Sequence, residues 1–203
     1  MVFTGKILVG ELSSKLMRVI SGKLKGKIIK YLKNNTTRPL RDSVKENIFN
    51  LLIHSNILNI KIEKASVLDL YSGVGSFGIE CISRGAKKVT FVENDSVANE
   101  TIRKNLNYLL ILEKSNVFKE NVTNFLKRNI NEKYNMFFFD PPYADKDFVN
   151  NINLIKRNRL FKKNHIVIIH RDVKSNDNLK DLIKITVVKE YGRSKVIFGL
   201  FVE

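Results

Sequence analysis

The chain has 203 residues, 43% of them apolar, and no apolar run near the ~20 residues that span a bilayer, so neither a disordered chain nor a transmembrane helix is expected. Its one cysteine excludes an internal disulfide and any multi-cysteine zinc site, its three histidines lack ligand spacing, and a reducing cytoplasm is the expected address. Thirty-six basic against twenty acidic side chains leave a net charge of +16, which calls for a polyanionic partner, nucleic acid before an anionic membrane.

Residues 1–16 match no pattern around them and are expected to be a disordered tail or an upstream start, with Met17 opening the better-patterned sequence. Residues 17–41 form a basic extension. "RVISGKLKGKIIKYL" alternates weakly, carries Gly22 and Gly26, and predicts a small hairpin. A lysine-rich composition alone would spread charge evenly, yet residues 17–50 hold nine basic side chains against Asp42 and Glu46. Residues 148–171 hold six and no acid, so the clusters are read as functional. "TTRPLRDSVKENIFNLLI" then breaks at a proline and enters a helix. Ser43 and Glu46 stand at capping-box spacing, and Val44, Ile48, Leu51 and Leu52 form one apolar face.

The main domain occupies residues 42–203. From Ala65 on, "SVLDLY", "KVTFVE", "NVF", "YNMFFFD" and "HIVIIH" read as strands buried on both faces. Helices are expected near 76–84, 96–110, 120–129 and 147–160. Such alternation predicts an α/β fold with a parallel sheet between helices. The closing "LIKITVVKEYGRSKVIFGLFVE" predicts an antiparallel hairpin through Tyr191-Gly192-Arg193, giving a mostly parallel, seven-stranded sheet.

Two motifs carry chemistry. In "VLDLYSGVGSFGIECISRGAKKVTFVEND" a strand delivers Asp69, Gly73, Gly75 and Gly78 follow at a helix start, and a second strand ends in Glu93. Glycines at this turn let a ligand approach the backbone, and an acid about twenty residues on can accept both ribose hydroxyls. Dinucleotide and S-adenosylmethionine sites share that pattern. Asp69 favours the second, because its carboxylate would meet a ligand ammonium and repel a pyrophosphate. In "FFFDPPY", two prolines take the chain out of the sheet and hold Asp140 rigid beside an aromatic. An exocyclic base amine is a poor nucleophile; Asp140 and the Pro141 carbonyl can accept its N–H groups and steer its nitrogen. Pro142 stiffens the corner and Tyr143 would stack on an unstacked base. The plainer reading, an Asp-Pro turn with Tyr143 as a core lid, leaves the upstream glycines unexplained.

"FFFDPPY" with the glycine array resembles the signature of amine-directed methyltransferases, and from Met17 to Glu203 the chain resembles the RsmD family of bacterial 16S rRNA guanine-N2 methyltransferases. The resemblance rests on "MRVISGKLKG", "TRPLRDSVKENIFN", "VLDLYSGVGSFGIECISRGA", "VTFVEND", "FFFDPPY" and "YGRSKVIF". It implies a Rossmann-like class I methyltransferase core with a small N-terminal β-hairpin, using S-adenosylmethionine on ribosomal RNA within a small-subunit assembly particle. A monomer that touches no membrane is expected. By that likeness Asp69, Gly73 and Gly75 would line the methionine end of the cofactor, with Tyr71, Gly78 and Asn94 in the same site. Glu93 would meet the ribose, and Asn121 and Val122 the adenine, Asn121 standing where the family commonly has aspartate. Arg38, Asp42 and Glu46 match a motif that closes over cofactor or target; Arg18, Arg38, Arg41 and Asp42 would bind the substrate, and Lys23, Lys25 and Lys27 would meet RNA phosphates.

Three other functions are weaker. A DNA adenine-N6 or cytosine-N4 methyltransferase shares the Asp-Pro-Pro logic but needs a sizeable recognition insert, and none is present. An inactive RNA-binding assembly factor should have lost Asp140 or the glycines. A dehydrogenase is disfavoured by Asp69 and by the lack of a substrate domain. Cys81 is expected to fill core, and His165 and His170 to flank a buried strand.

Overall fold

Apolar runs with polar punctuation sort into strands and helices because only that arrangement buries both strand faces while pairing the backbone. The computed structural model describes residues 17–31, 40–58, 60–128, 130–142, 144–145 and 147–202. The strands β3 (Ser66–Leu70), β4 (Lys88–Glu93), β5 (Ser115–Lys119), β6 (Tyr134–Phe139) and β7 (Phe161–Asp172) pair in parallel. β9 (Ser194–Phe201) joins β7 antiparallel and β8 (Ile183–Tyr191) closes the edge, in the order β5-β4-β3-β6-β7-β9-β8. The fold is the expected α/β architecture with a mostly parallel, seven-stranded sheet, its terminal hairpin turning at Gly192 (φ 63°).

Helices α1 (Asp42–His54), α2 (Ser76–Ser83), α3 (Ser96–Tyr108), α4 (Val122–Leu126) and α5 (Phe148–Arg157) cover the sheet, and two apolar clusters fill its faces. On one face, Phe49 of α1 stacks on Phe77 of α2, and Phe77 on Phe138 of β6 with centroids 3.9 Å apart. Two helices are thereby pinned to the strand that ends beside Asp140. Cys81 is fully buried and its thiol is pushed up by burial, as core filler should be.

Several boundaries depart from expectation. β7 runs well beyond "HIVIIH", because Phe161 opposes Tyr134 across a register shift and extends the pairing. α4 stops at Leu126, short of residue 129. The capping box does not form: α1 starts at Asp42 with Arg41 as its uncapped N-cap, which places Ser43 inside the first turn. The first turn is served instead by Asp42, an acid at the positive helix end, ion-paired to Lys45 at 3.2 Å. Leu51 is only half-buried, and Phe49 completes the apolar face with Val44, Ile48 and Leu52.

The N-terminal extension is a minimal hairpin of β1 (Met17–Arg18) and β2 (Ile28–Ile29). It lies along α2. Lys45 Nζ, on a fully buried side chain, donates to the Arg18 carbonyl and to Ser76 Oγ where α2 begins. Further along, the Ile20 and Ser21 amides donate to the buried carboxylate of Glu80 at 2.7 and 2.9 Å, and the Lys23 amide donates to the Ser83 carbonyl where α2 ends. Gly22 (φ 82°) is required there, since a Cβ would stand 2.0 Å from that Ser83 oxygen. Residues 1–16, Arg38 and Tyr143 lie outside the described residues.

Candidate active site

Strand order reverses at β3, whose chain continues to β4 on one side while β6 flanks it on the other. That reversal opens a crevice beyond the carboxyl ends of the strands. Leu70 pairs with Val92 of β4 and Phe139 of β6, so the following residues Tyr71, Glu93 and Asp140 emerge side by side. The three strands span roughly 10 Å, close enough for groups on either flank to meet one ligand.

The turn after β3 is set by left-handed backbone at Tyr71 (φ 58°), Gly73 (φ 56°) and Gly75 (φ 83°). Only at the glycines is this conformation free of a Cβ penalty; Tyr71 tolerates it while its hydroxyl accepts from Asn151 of α5 at 2.9 Å. A Cβ on Gly73 would meet nothing within 4 Å, so this part of the turn borders open space. Gly78 serves packing. It sits buried within α2, and a Cβ there would stand 2.3 Å from the Phe91 ring. It makes room for helix–strand packing, and its amide donates to Asp69 Oδ2 at 3.0 Å.

Three carboxylates cluster at these strand ends with different restraints. Asp69 is 1% exposed and, among the described residues, no donor reaches its Oδ1. Burial pushes its pKa well up; the Gly78 amide opposes the rise, and Asp140 and Glu93 add to it. Glu93 accepts from the Gly73 amide at 2.7 Å and from the Asp95 amide at 2.8 Å, and burial again raises its pKa. Asp140 leaves β6 with its amide on the Leu70 carbonyl, and its Oδ1 lies 2.8 Å from His170 Nδ1. A buried acid with an orphaned oxygen, crowded by two others, suits a cationic ligand. An ammonium and a sulfonium on a hydroxyl-bearing nucleoside fit that donor set.

Pro141 is buried and Pro142 exposed, and the Pro142 carbonyl accepts from Asp145 N and from Arg171 Nη1. Asn94 is exposed just past Glu93. Asn121 caps α4 through its own side chain, accepting from the Thr123 amide, and Val122 is buried behind it. Both follow β5, next to β4, on the same rim.

The basic residues lie elsewhere. Lys23, Lys25 and Lys27 are exposed on the hairpin turn at the C-terminal end of α2, about 12 Å from its glycine end by the rise of an eight-residue helix. Arg18, Arg41 and Asp42 are exposed at the other end of that path, near Lys45 and Ser76. His170 is the residue that strand-by-strand reading missed at the crevice. Its signal was available: it ends the apolar core of β7 as Asp140 ends that of β6, and parallel neighbours bring such ends together.

A family model described as conserved hypothetical protein 95 matches residues 17–200. The chain is 32% identical over 158 residues to ribosomal RNA small subunit methyltransferase D of Haemophilus influenzae, covering 77% of this chain and 79% of that one. It is 30% identical over 196 residues to the protein of the same name from Buchnera aphidicola subsp. Baizongia pistaciae, covering 97% and 96%. A crystal structure of a Haemophilus influenzae protein, described as a methylase candidate, matches with a TM-score of 0.74 and 27% identity, over 93% of this chain and 99% of the other.

Proposed function

This chain belongs to the conserved hypothetical protein 95 family, that of the ribosomal RNA small subunit methyltransferase D proteins, and on that premise we propose that it methylates the exocyclic N2 amine of a guanine in 16S ribosomal RNA. Its cofactor is S-adenosylmethionine, which when bound supplies an electrophilic methyl group on a sulfonium. The observation that carries the proposal is the shared rung of Glu93, the glycine turn and Asp140 across β4, β3 and β6.

Each residue has a distinct task. Asp69 Oδ1, buried and without a donor among the described residues, accepts from the ligand ammonium. Glu93, fixed by two backbone amides, turns its remaining lone pairs to the ribose hydroxyls. Gly73 lets the backbone come close. Across the crevice, Asp140 and the Pro141 carbonyl accept the amine hydrogens, orient its nitrogen and stabilise the positive charge that develops there. Orientation of this kind supplies up to about 7–11 kcal/mol of barrier lowering. Tyr143 follows as the base-stacking residue, and the lysines of the hairpin hold phosphates away from the reacting atoms. The small-subunit name of the relatives favours rRNA, met within an assembly particle by a single copy of this chain.

The test is direct. The protein is incubated with methyl-labelled S-adenosylmethionine and 16S rRNA, free and in small-subunit particles, and the RNA is digested to nucleosides. Label in N2-methylguanosine is the expected result. Label on adenine N6 or cytosine N4, or none in RNA, overturns the assignment.

A further inference from the structure

The function of Asp140 depends on where its two oxygens point, and the tip of β7 decides that. Ile169 pairs with Phe139, so the next rung sets His170 beside Asp140. His170 is 8% exposed, its Nδ1 lies 2.8 Å from Asp140 Oδ1, and its buried Nε2 has no partner among the described residues. One tautomer accounts for all of this: Nδ1–H donates to the carboxylate, and Nε2 keeps a bare lone pair. The other tautomer would bury an unpaired N–H and set two lone pairs against each other.

Arg171 grips the same corner from the next position. Its Nη1 donates to the Pro142 carbonyl at 3.2 Å, while Asp177 takes its Nε and Nη2 at 2.9 and 3.0 Å and its plane lies 4.4 Å over Phe148. Two successive residues of one strand thus hold the Asp-Pro-Pro segment at two points. The prolines restrain the backbone; they leave the Asp140 carboxylate free to turn about its broad terminal torsion.

We propose that His170 is a positioning residue that occupies Oδ1 of Asp140 through Nδ1–H and so commits the other oxygen, Oδ2, to the substrate amine. Among the described residues none donates to Oδ2. Restricting the carboxylate to one orientation acts after substrates are bound, so it raises turnover and leaves binding alone. The inference rests on the functional reading above, in which Asp140 accepts the amine.

His170→Val removes the donor and keeps a strand-forming side chain, and His170→Asn restores an N–H near the position of Nδ1. On 16S rRNA, His170→Val is expected to lower kcat roughly 10–100-fold, with KM for both substrates within about twofold of wild type. His170→Asn is expected to recover to within about fivefold of wild type. Nitrogen NMR of the free protein supplies an independent arm: His170 should carry its proton on Nδ1, and Asp140→Ala should disturb that signal. Wild-type kcat in His170→Val, an equal loss in both variants, a loss confined to KM, or a proton on Nε2 overturns the positioning role. A wild-type chain that labels no RNA amine ends the functional reading itself, whereas a labelling wild type with an unaffected His170→Val ends only this inference.

Discussion

The rim of β3, β4 and β6 and the tip of the N-terminal hairpin deploy charge in opposite ways. At the rim, carboxylate oxygens are taken by fixed partners: Gly78 N–H on Asp69, Gly73 and Asp95 N–H on Glu93, His170 on Asp140. At the hairpin it is the backbone that is taken, by Glu80 and Ser83, while Lys23, Lys25 and Lys27 extend into solvent. The difference is one of range. A group that guides an amine acts over a hydrogen-bond length and must be immobile. A lysine that attracts a polyanion acts over about a Debye length, ~8–10 Å, and tolerates motion. The fixed carboxylates therefore sit on buried strand ends, and the basic surface on a clipped, exposed turn.

The sharpest way to break this comparison is Asp140→Ala. If the rim works by fixed geometry, turnover should fall about 10²–10³-fold, the scale seen when one charge-stabilising group is removed, with cofactor affinity by calorimetry unchanged. An unimpaired rate would move the chemistry off this corner.

A smaller effect separates the cost of the buried rim charge from its use. Burial first, then Asp140 and Glu93, raise the Asp69 pKa against the Gly78 amide. The folded chain thus binds that proton more tightly than the unfolded chain does. Its contribution to stability is complete at acidic pH and is lost as pH rises through the raised value. Asp69→Asn stays neutral, so the ligand-free variant should match wild type in acid and melt higher at neutral pH, by a few degrees. Cofactor affinity should fall in the same variant. A melting gap that shrinks as pH rises would contradict the assignment of the cost to burial.

The smallest expected effect is at the hairpin. Neutralising Lys23, Lys25 and Lys27 together should flatten the slope of log affinity for RNA against log salt by ~2–3, with kcat at saturating RNA unchanged. An unaltered slope would place the phosphate contacts elsewhere on the chain.

Most of the frame was legible in the residue order because its signals are local. The strands at 66–70, 88–93 and 134–139 are apolar runs ended by glycine, acid or proline, and each lies where those marks put it. The Asp-Pro-Pro exit follows from proline's fixed φ and missing N–H, and the glycines at 73 and 75 permit the left-handed turn found there. Tertiary structure decided what depends on register between distant segments. His170 and Asp140 are 30 residues apart and meet only because β7 pairs with β6 in one particular alignment. The packing of Gly78 depends on Phe91 of a separate strand, which occupies the space a Cβ would need, and the capping box at Ser43 gave way to a helix start set by Asp42 and Lys45. Local patterns choose the element; the free energy that chooses which elements touch comes from packing, and no short stretch of sequence contains it.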